Sequence, residues 1–459
     1  MRPALALLAA AATAALALPA AGAGAVSAGG PPVFVLGGNG WGHGVGMSQW
    51  GAYGQALQGR GYRRILAHYY RGTTLGRAPR SVLRVLLAEG RARVRIASPE
   101  PFRVRADGRT FRLPAGAVTL GPKARVRVRP PGGPRWVRGD LLFLPADGTP
   151  LTLDGAAYRG GLRVTAAGGR LRIVNEVRLE AYLLGVVPLE VPKHWPDEVL
   201  RAQAVAARSY ALARRLGSGP FDLYADWRSQ MYGGVAAEAP ATTRAVRDTA
   251  GEVLLYDGAI ATTFFHSTSG GRTASAAEVF GDDVPYLVSV PDPWDRLSPL
   301  HVWEPRVLTP AGLARLFGLA SPVVDAVTEP APSGRTAAIV LRTRAGGTVE
   351  LVPTEVRDRL GLRSAWVRIG MLRLGPAPAA TRAPAARGAT LAGVVRGLER
   401  PLLERLGAAG VWAPARRLAP AADGSFSVVV APRETTRFRL AAGGYASAPV
   451  TVRVPRGRE

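Results

Sequence analysis

The chain has 459 residues, 47% of them hydrophobic and none of them cysteine. It can therefore bury two or three cores, and it can rely on neither disulfides nor thiolate metal sites. Its formal net charge of +26 rests on arginine, Lys123 and Lys193 being the only lysines; such a field attracts polyanions. A genome that favours arginine over lysine explains part of that bias. No groove-reading motif and no basic stretch interleaved with aromatics accompanies it, which argues against nucleic acid as partner.

Residues 1–25 set Arg2 ahead of an Ala/Leu run that ends in Pro19 and several small residues. This is the pattern of a secretory signal peptide, so the expected mature chain is secreted or held in the cell envelope and has no membrane span. Residues 31–35 read as a short strand before the glycine-rich loop GGNGWGHGVG, and helices are predicted over 48–58 and 62–70. From about 86 to 169 the chain is β-rich: RVRIA, FRVRADG and ARVRVRP alternate apolar residues with arginine, the period of half-buried strands with solvated arginines. Residues 171–174 read as an interior strand. A short helix is expected over 180–184 and a longer one from Pro196 to about 215, with Pro188, Pro192 and Pro196 keeping VVPLEVPKHW out of regular helix. Strands return at GEVLLYDG and at 259–265, then near 337–342, 348–352 and 365–369. Residues 376–388, PAPAATRAPAAR and its neighbour, read as a Pro/Ala linker, and 389–456 as a small β-sandwich. Blocks of helix and strand of this kind make the fold class α+β.

Nucleophile elbows, His-Glu-x-x-His motifs, phosphate loops and EF-hand loops are missing from the sequence, and the five histidines show no ligand spacing. No metal and no cofactor is expected. Three segments stand out. In Trp41–Gly51 the glycines interleave with His43 and Gln49, which suits either close approach to a ligand or a packed turn capped by Ser48. FHSTSGG clusters His266, hydroxyls and backbone N–H groups suited to sugar hydroxyls, or forms an ordinary turn. The third holds Glu190 among Val187, Leu189, Val191 and Trp195, where burial would favour the protonated acid. Arg208 could instead hold that carboxyl ionised, or Glu190 could lie on a solvated loop.

Together, GWGHGVGMSQWGAYGQALQGRGYRRILAHYYRGTTL (40–75), NEVRLEAYLLGVVPLEVPKHWPDEVLRAQAVAARSYALA (175–213), QMYGG, TFFHSTSGG and LGLRSAWVRI resemble the SpoIID/LytB family over most of residues 32–375. The resemblance implies a SpoIID-type domain with a β-rich insertion at about 86–169. It also implies a peptidoglycan lytic transglycosylase that cleaves denuded glycan strands between N-acetylmuramic acid and N-acetylglucosamine. The family's essential Glu falls on Glu190, and its supporting polar residues fall on Gln203, Arg208, Tyr210, Tyr232, His266, Ser269, His43 and Gln49, which would bind substrate or shape the site. A single carboxylate suffices for such a reaction, since the sugar's own 6-hydroxyl attacks, whereas ordinary glycosidases need two. Peptidoglycan strands are the expected partner, with anionic wall polymers and an amidase as further candidates. Non-enzymatic stimulation of an amidase and a purely wall-attached structural role are the competing readings. The order of motifs departs from the family: the GWGHGVGMSQ segment opens the chain and LRSAWVRI ends the domain. Circular permutation is expected, with residues 31–35 beside 365–369.

Overall fold

The computed structural model describes residues 30–146, 148–378 and 389–454. The expected signal peptide and most of the expected linker lie outside them. The fold is α+β, and four apolar cores organise the described residues.

Helices α1 (Gln49–Leu57), α2 (Tyr62–Tyr69), α3 (Leu179–Glu190), α4 (Asp197–Ala213) and α5 (Pro240–Asp248) build the first core. Alanines at 202, 204, 206, 207 and 211 are fully buried on α4, and their small side chains let the other four helices pack closely around it. Ser48 caps α1, its hydroxyl accepting the Gly51 N–H at 3.1 Å.

Strands Val82–Arg91 and Arg170–Arg178 pair antiparallel and run through two cores. Leu83, Val85 and Val177 face the helices, whereas Leu171 and Ile173 face the second core, inside the β-rich region expected to be an insertion. There a seven-stranded and a four-stranded sheet close on Val, Leu and Phe side chains. The alternation is as expected: Phe102, Val104 and Ala106 are buried while Arg103 and Arg105 are exposed.

Strand Val33–Gly38 lies antiparallel to Val367–Pro376, with Leu36 opposite Ile369 and Gly38 opposite Val367. The two ends of the expected domain are thus adjacent in one sheet. That sheet does not stop at Pro376. Strand Ala389–Arg396 pairs with Val367–Pro376, placing Pro376 opposite Leu391, and Ser425–Val430 pairs on its far side. Leu372 and Leu374 then share a core with Leu391, Leu403, Phe438 and Leu440. The C-terminal residues form a sandwich, but one of its sheets is made partly by the preceding domain.

Two local expectations need correction. Helix α3 does not end at 184: it continues through Pro188 to Glu190. Proline costs a helical hydrogen bond, yet here Val186 and Val187 are fully buried, the Gly233 N–H donates to the Gly185 carbonyl, and Val191 closes the last turn on Val187. Residues 259–265 are not one strand; only Ala259–Ile260 and Phe265–His266 are paired, with loop between. No helix among the described residues is long and apolar enough to cross a membrane.

Candidate active site

Glu190 is the last residue of α3 and is half-buried. Its Oε1 accepts the Met231 backbone N–H at 3.0 Å. Burial raises its carboxyl from 4.5 to about 7, against the pull of that hydrogen bond. No neighbouring carboxylate or guanidinium contributes to the shift, so desolvation decides it. Exposed Leu189 and Met231 flank the acid on its solvent side.

Three of the expected residues converge here. Gln49, at the start of α1, donates through Nε2 to the Glu190 carbonyl oxygen at 2.9 Å and to Gln203 Oε1 at 3.3 Å. Gln203 is fully buried on α4, and its own Nε2 has no partner among the described residues. Tyr210 stands seven residues further along the same helix and so on the same face. Burial raises its phenol, Arg214 opposes that, and the Glu190 carboxylate adds a smaller upward push.

From Tyr210 a file of rings leads away. Its ring lies 5.8 Å from Phe264, which lies 5.7 Å from His43, itself 5.5 Å from His266. Burial lowers His43 to about 4 and His266 further, so both are neutral near pH 7. His43 Nδ1 accepts the Val45 N–H, and His266 Nδ1 faces the Val45 carbonyl at 3.1 Å. His266 Nε2 is buried without a partner among the described residues.

The remaining three expected residues are spent on the scaffold. Arg208 is fully buried and grips Glu180 with both ends of its fork, at 2.9 and 2.8 Å, while also donating to the Glu252 and Val246 carbonyls. Glu180 is ten residues before Glu190 on α3, about 15 Å along the axis, so Arg208 does not hold the Glu190 carboxylate. A concavity of about 880 Å³ opens beside Glu180, lined by Arg77, Arg80 and Arg178; its one carboxylate is already committed to Arg208. Tyr232 is buried, stacks 4.9 Å from Tyr182 and donates its hydroxyl to Asn175 at 2.8 Å. Ser269 donates to Asp292 at 2.8 Å.

That last contact leads to residues that sequence reasoning missed. Asp292 and Asp295 are both fully buried. Asp292 accepts the Tyr69 and Ser269 hydroxyls; Asp295 accepts the Ser48 hydroxyl, the Ser269 and Gly270 N–H groups, and faces His301 Nδ1 at 2.9 Å. Burial, then Asp295, raises Asp292 to about 7. The pair ties the loop before α1 to the HSTSGG loop. Its only sequence signal was two aspartates between prolines, in PDPWDRLSP. The Met231 N–H could not have been found by residue type, being backbone.

The glycines of the first loop serve the same junction. Gly46 has φ +72°, and a Cβ there would sit 2.0 Å from the Phe264 carbonyl oxygen. What approaches the loop so closely is the parallel bridge of Met47–Ser48 with Phe265–His266, so the packed-turn reading applies to these glycines.

Residues 167–256, which include Glu190, Gln203, Arg208, Tyr210 and Tyr232, match the family described as Stage II sporulation protein, SpoIID. The chain is 29% identical to Stage II sporulation protein D of Bacillus subtilis over 220 residues, 43% of this chain and 62% of that one. It is 40% identical to the Amidase enhancer of the same organism over 113 residues, 25% of this chain and 15% of that protein. It is 39% identical over 153 residues to an uncharacterized protein of Brachyspira hyodysenteriae, covering 33% and 41% of the two chains. The matches thus span between 15% and 62% of these relatives' own lengths. By these matches residues 167–256, which carry Glu190, form a domain of the SpoIID family.

Proposed function

We propose that the protein is exported and cleaves denuded peptidoglycan strands as a lytic transglycosylase, with Glu190 as its single acid/base. The observation that carries this reading is a half-buried carboxyl, raised to about 7 by desolvation, with no second carboxylate among the described residues acting on it. Protonated, Glu190 would deliver its proton to the glycosidic oxygen between N-acetylmuramic acid and N-acetylglucosamine as that bond breaks. Ionised, it would then take the proton from the muramyl 6-hydroxyl as that oxygen closes on C1, leaving a 1,6-anhydro end and the acid restored. Exposed Leu189 and Met231 supply an apolar ledge for the faces of the sugar rings. Half-buried Tyr210 supplies a phenol on the inner side. The adjacency of strands Val33–Gly38 and Val367–Pro376 supports a circularly permuted arrangement of the family domain.

The deciding experiment is digestion of purified, peptide-stripped glycan followed by mass analysis. The wild-type protein should release anhydro-muramyl fragments and Glu190→Gln should not. The likeness to the Amidase enhancer favours a second reading, a glycan-binding stimulator of an amidase. Absence of anhydro products from the wild type, together with faster release of stem peptides by an added amidase, would establish it instead.

A further inference from the structure

Residues 101–138 of the insertion carry nine Arg and one Lys against a single Asp. None of these arginines takes part in an ion pair among the described residues, whereas Arg159, Arg163 and Arg172 nearby each hold a carboxylate. The concentration is greatest on the antiparallel ribbon formed by Arg125–Val128 and Arg135–Arg138. Val126, Val128 and Val137 point into the insertion core. On the other face the register sets Arg125 directly opposite Arg138 and Arg127 directly opposite Trp136. All three arginines are exposed, and Trp136 is 57% exposed with the Arg125 guanidinium 4.6 Å from its ring centroid. A second like-charge pair, Arg103 opposite Arg112, lies on the exposed face of the adjoining sheet.

Like charges directly opposite across a ladder destabilise it. Arg125 gains its contact with Trp136, but folding gains nothing from setting a second arginine opposite it, or from Arg103 opposite Arg112, at exposed positions where any polar residue would serve. A bound polyanion removes the repulsion. Along a strand, Arg125 and Arg127 are about 7 Å apart, and cross-strand neighbours about 5 Å. A polymer bearing a charge on every repeat can meet this row, and a neutral glycan cannot. The fork of arginine matches phosphate oxygens two at a time.

We propose that this ribbon is a docking face for a phosphodiester-linked anionic polymer of the cell wall, holding the enzyme near its glycan. The proposal rests on the cell-wall reading of the family. Single-stranded nucleic acid is the rival polyanion, but its binding surfaces present successive aromatics for stacking, and the ribbon presents Trp136 alone.

The test uses the full-length protein and the triple variant Arg125→Gln, Arg127→Gln, Arg138→Gln. The probes are sacculi that carry phosphodiester polymers, the same sacculi stripped of them by hydrofluoric acid, and oligo(dT). Wild type should sediment with the polymer-bearing sacculi, at least tenfold more tightly than with stripped ones. The triple variant should lose that tenfold and flatten the log–log salt dependence by about 2, the slope of three phosphate contacts on a flexible chain. Its melting temperature should change little, since the Arg125–Arg138 repulsion and the Arg125–Trp136 contact are lost together. Trp136→Ala, which leaves the charges in place, should weaken binding with little change in salt slope. Equal retention of wild type on stripped sacculi, an unaltered triple variant, or tighter binding to oligo(dT) would each overturn the proposal. Polymer binding without anhydro products would strike the catalytic reading alone, and anhydro products with unaltered binding by the variant would strike this one alone.

Discussion

A carboxyl raised to about 7 gives Glu190 two linked consequences. In the proposed reaction Glu190, as general acid, must hold its proton when the glycosidic bond breaks. Cleavage should therefore fall as pH climbs through about 7, and Glu190→Gln should cost at least about a hundredfold in rate, read from the yield of anhydro-muramyl ends. Stability follows the same group. The folded state binds this proton more tightly than the unfolded chain does, so its contribution is complete below about 4.5 and is lost as pH rises through about 7. Glu190→Gln should thus be more stable than wild type at pH 8, by about 1–2 kcal/mol, and no more stable at pH 4, by thermal melts at the two values. His43 runs the opposite way: lowered to about 4, it withdraws stability as pH falls below its ordinary 6.5. Arg208 belongs to another category of residue. Arg208→Met leaves Glu180 without its fork and takes a side-chain donor from the Glu252 and Val246 carbonyls. A loss of about 3 kcal/mol is expected, seen in chemical denaturation near neutral pH.

Helix α3 is the element on which the site depends. Its C-terminal turn is stabilised from outside, by Gly233 on the Gly185 carbonyl and by Gln49 on the Glu190 carbonyl. The rings of Trp50, Tyr53 and Trp195, with centroids 4.8–5.4 Å apart, pin α1 to the turn that follows α3. Loop geometry before α1 therefore reaches the acid through a single glutamine. Gly46→Ala should be costly on both counts, φ +72° and a Cβ 2.0 Å from the Phe264 carbonyl oxygen. A fall of more than about 2 kcal/mol is expected. Gly90→Ala has a similar φ of +74° with nothing within 4 Å, and should lose only about 1 kcal/mol of backbone strain. Comparing the two melting temperatures separates crowding from conformation. Gln49→Ala should lower cleavage more than it lowers the melting temperature, because it frees the Glu190 carbonyl without opening a core.

At the scale of the whole molecule, strands Val367–Pro376 and Ala389–Arg396 share one sheet, so pairing continues past the boundary that the Pro/Ala stretch suggested. Truncation after residue 378 would strip Leu391, Leu403, Phe438 and Leu440 from Leu372 and Leu374. The shortened protein is expected to melt several degrees lower and to bind a hydrophobic dye, whereas a detachable module would leave both readings unchanged.

The α+β class, the helices α1, α2 and α4 and the alternating strands of the β-rich region were all legible in the sequence, where Glu190 also stood out as the candidate acid. Each depends on local periodicity, capping or a contiguous motif, and such signals span a few residues. What tertiary structure decided depends on partners far apart in the chain. Pro188 stays in α3 because burial of that turn outweighs one lost hydrogen bond. Arg208 looked equally able to hold Glu190 or something else, and only the packing of α4 against α3 assigns it to Glu180. Gln49 meets Glu190 across 141 residues, and the buried Asp292–Asp295 pair joins loops that no sequence pattern connects. The absence of a basic stretch interleaved with aromatics was true of the linear chain, but cross-strand register sets Trp136 opposite Arg127. Spacing along the chain fixes which side chains share a face of one element; which elements meet is settled by long-range burial and register, and the candidate site is made of such meetings.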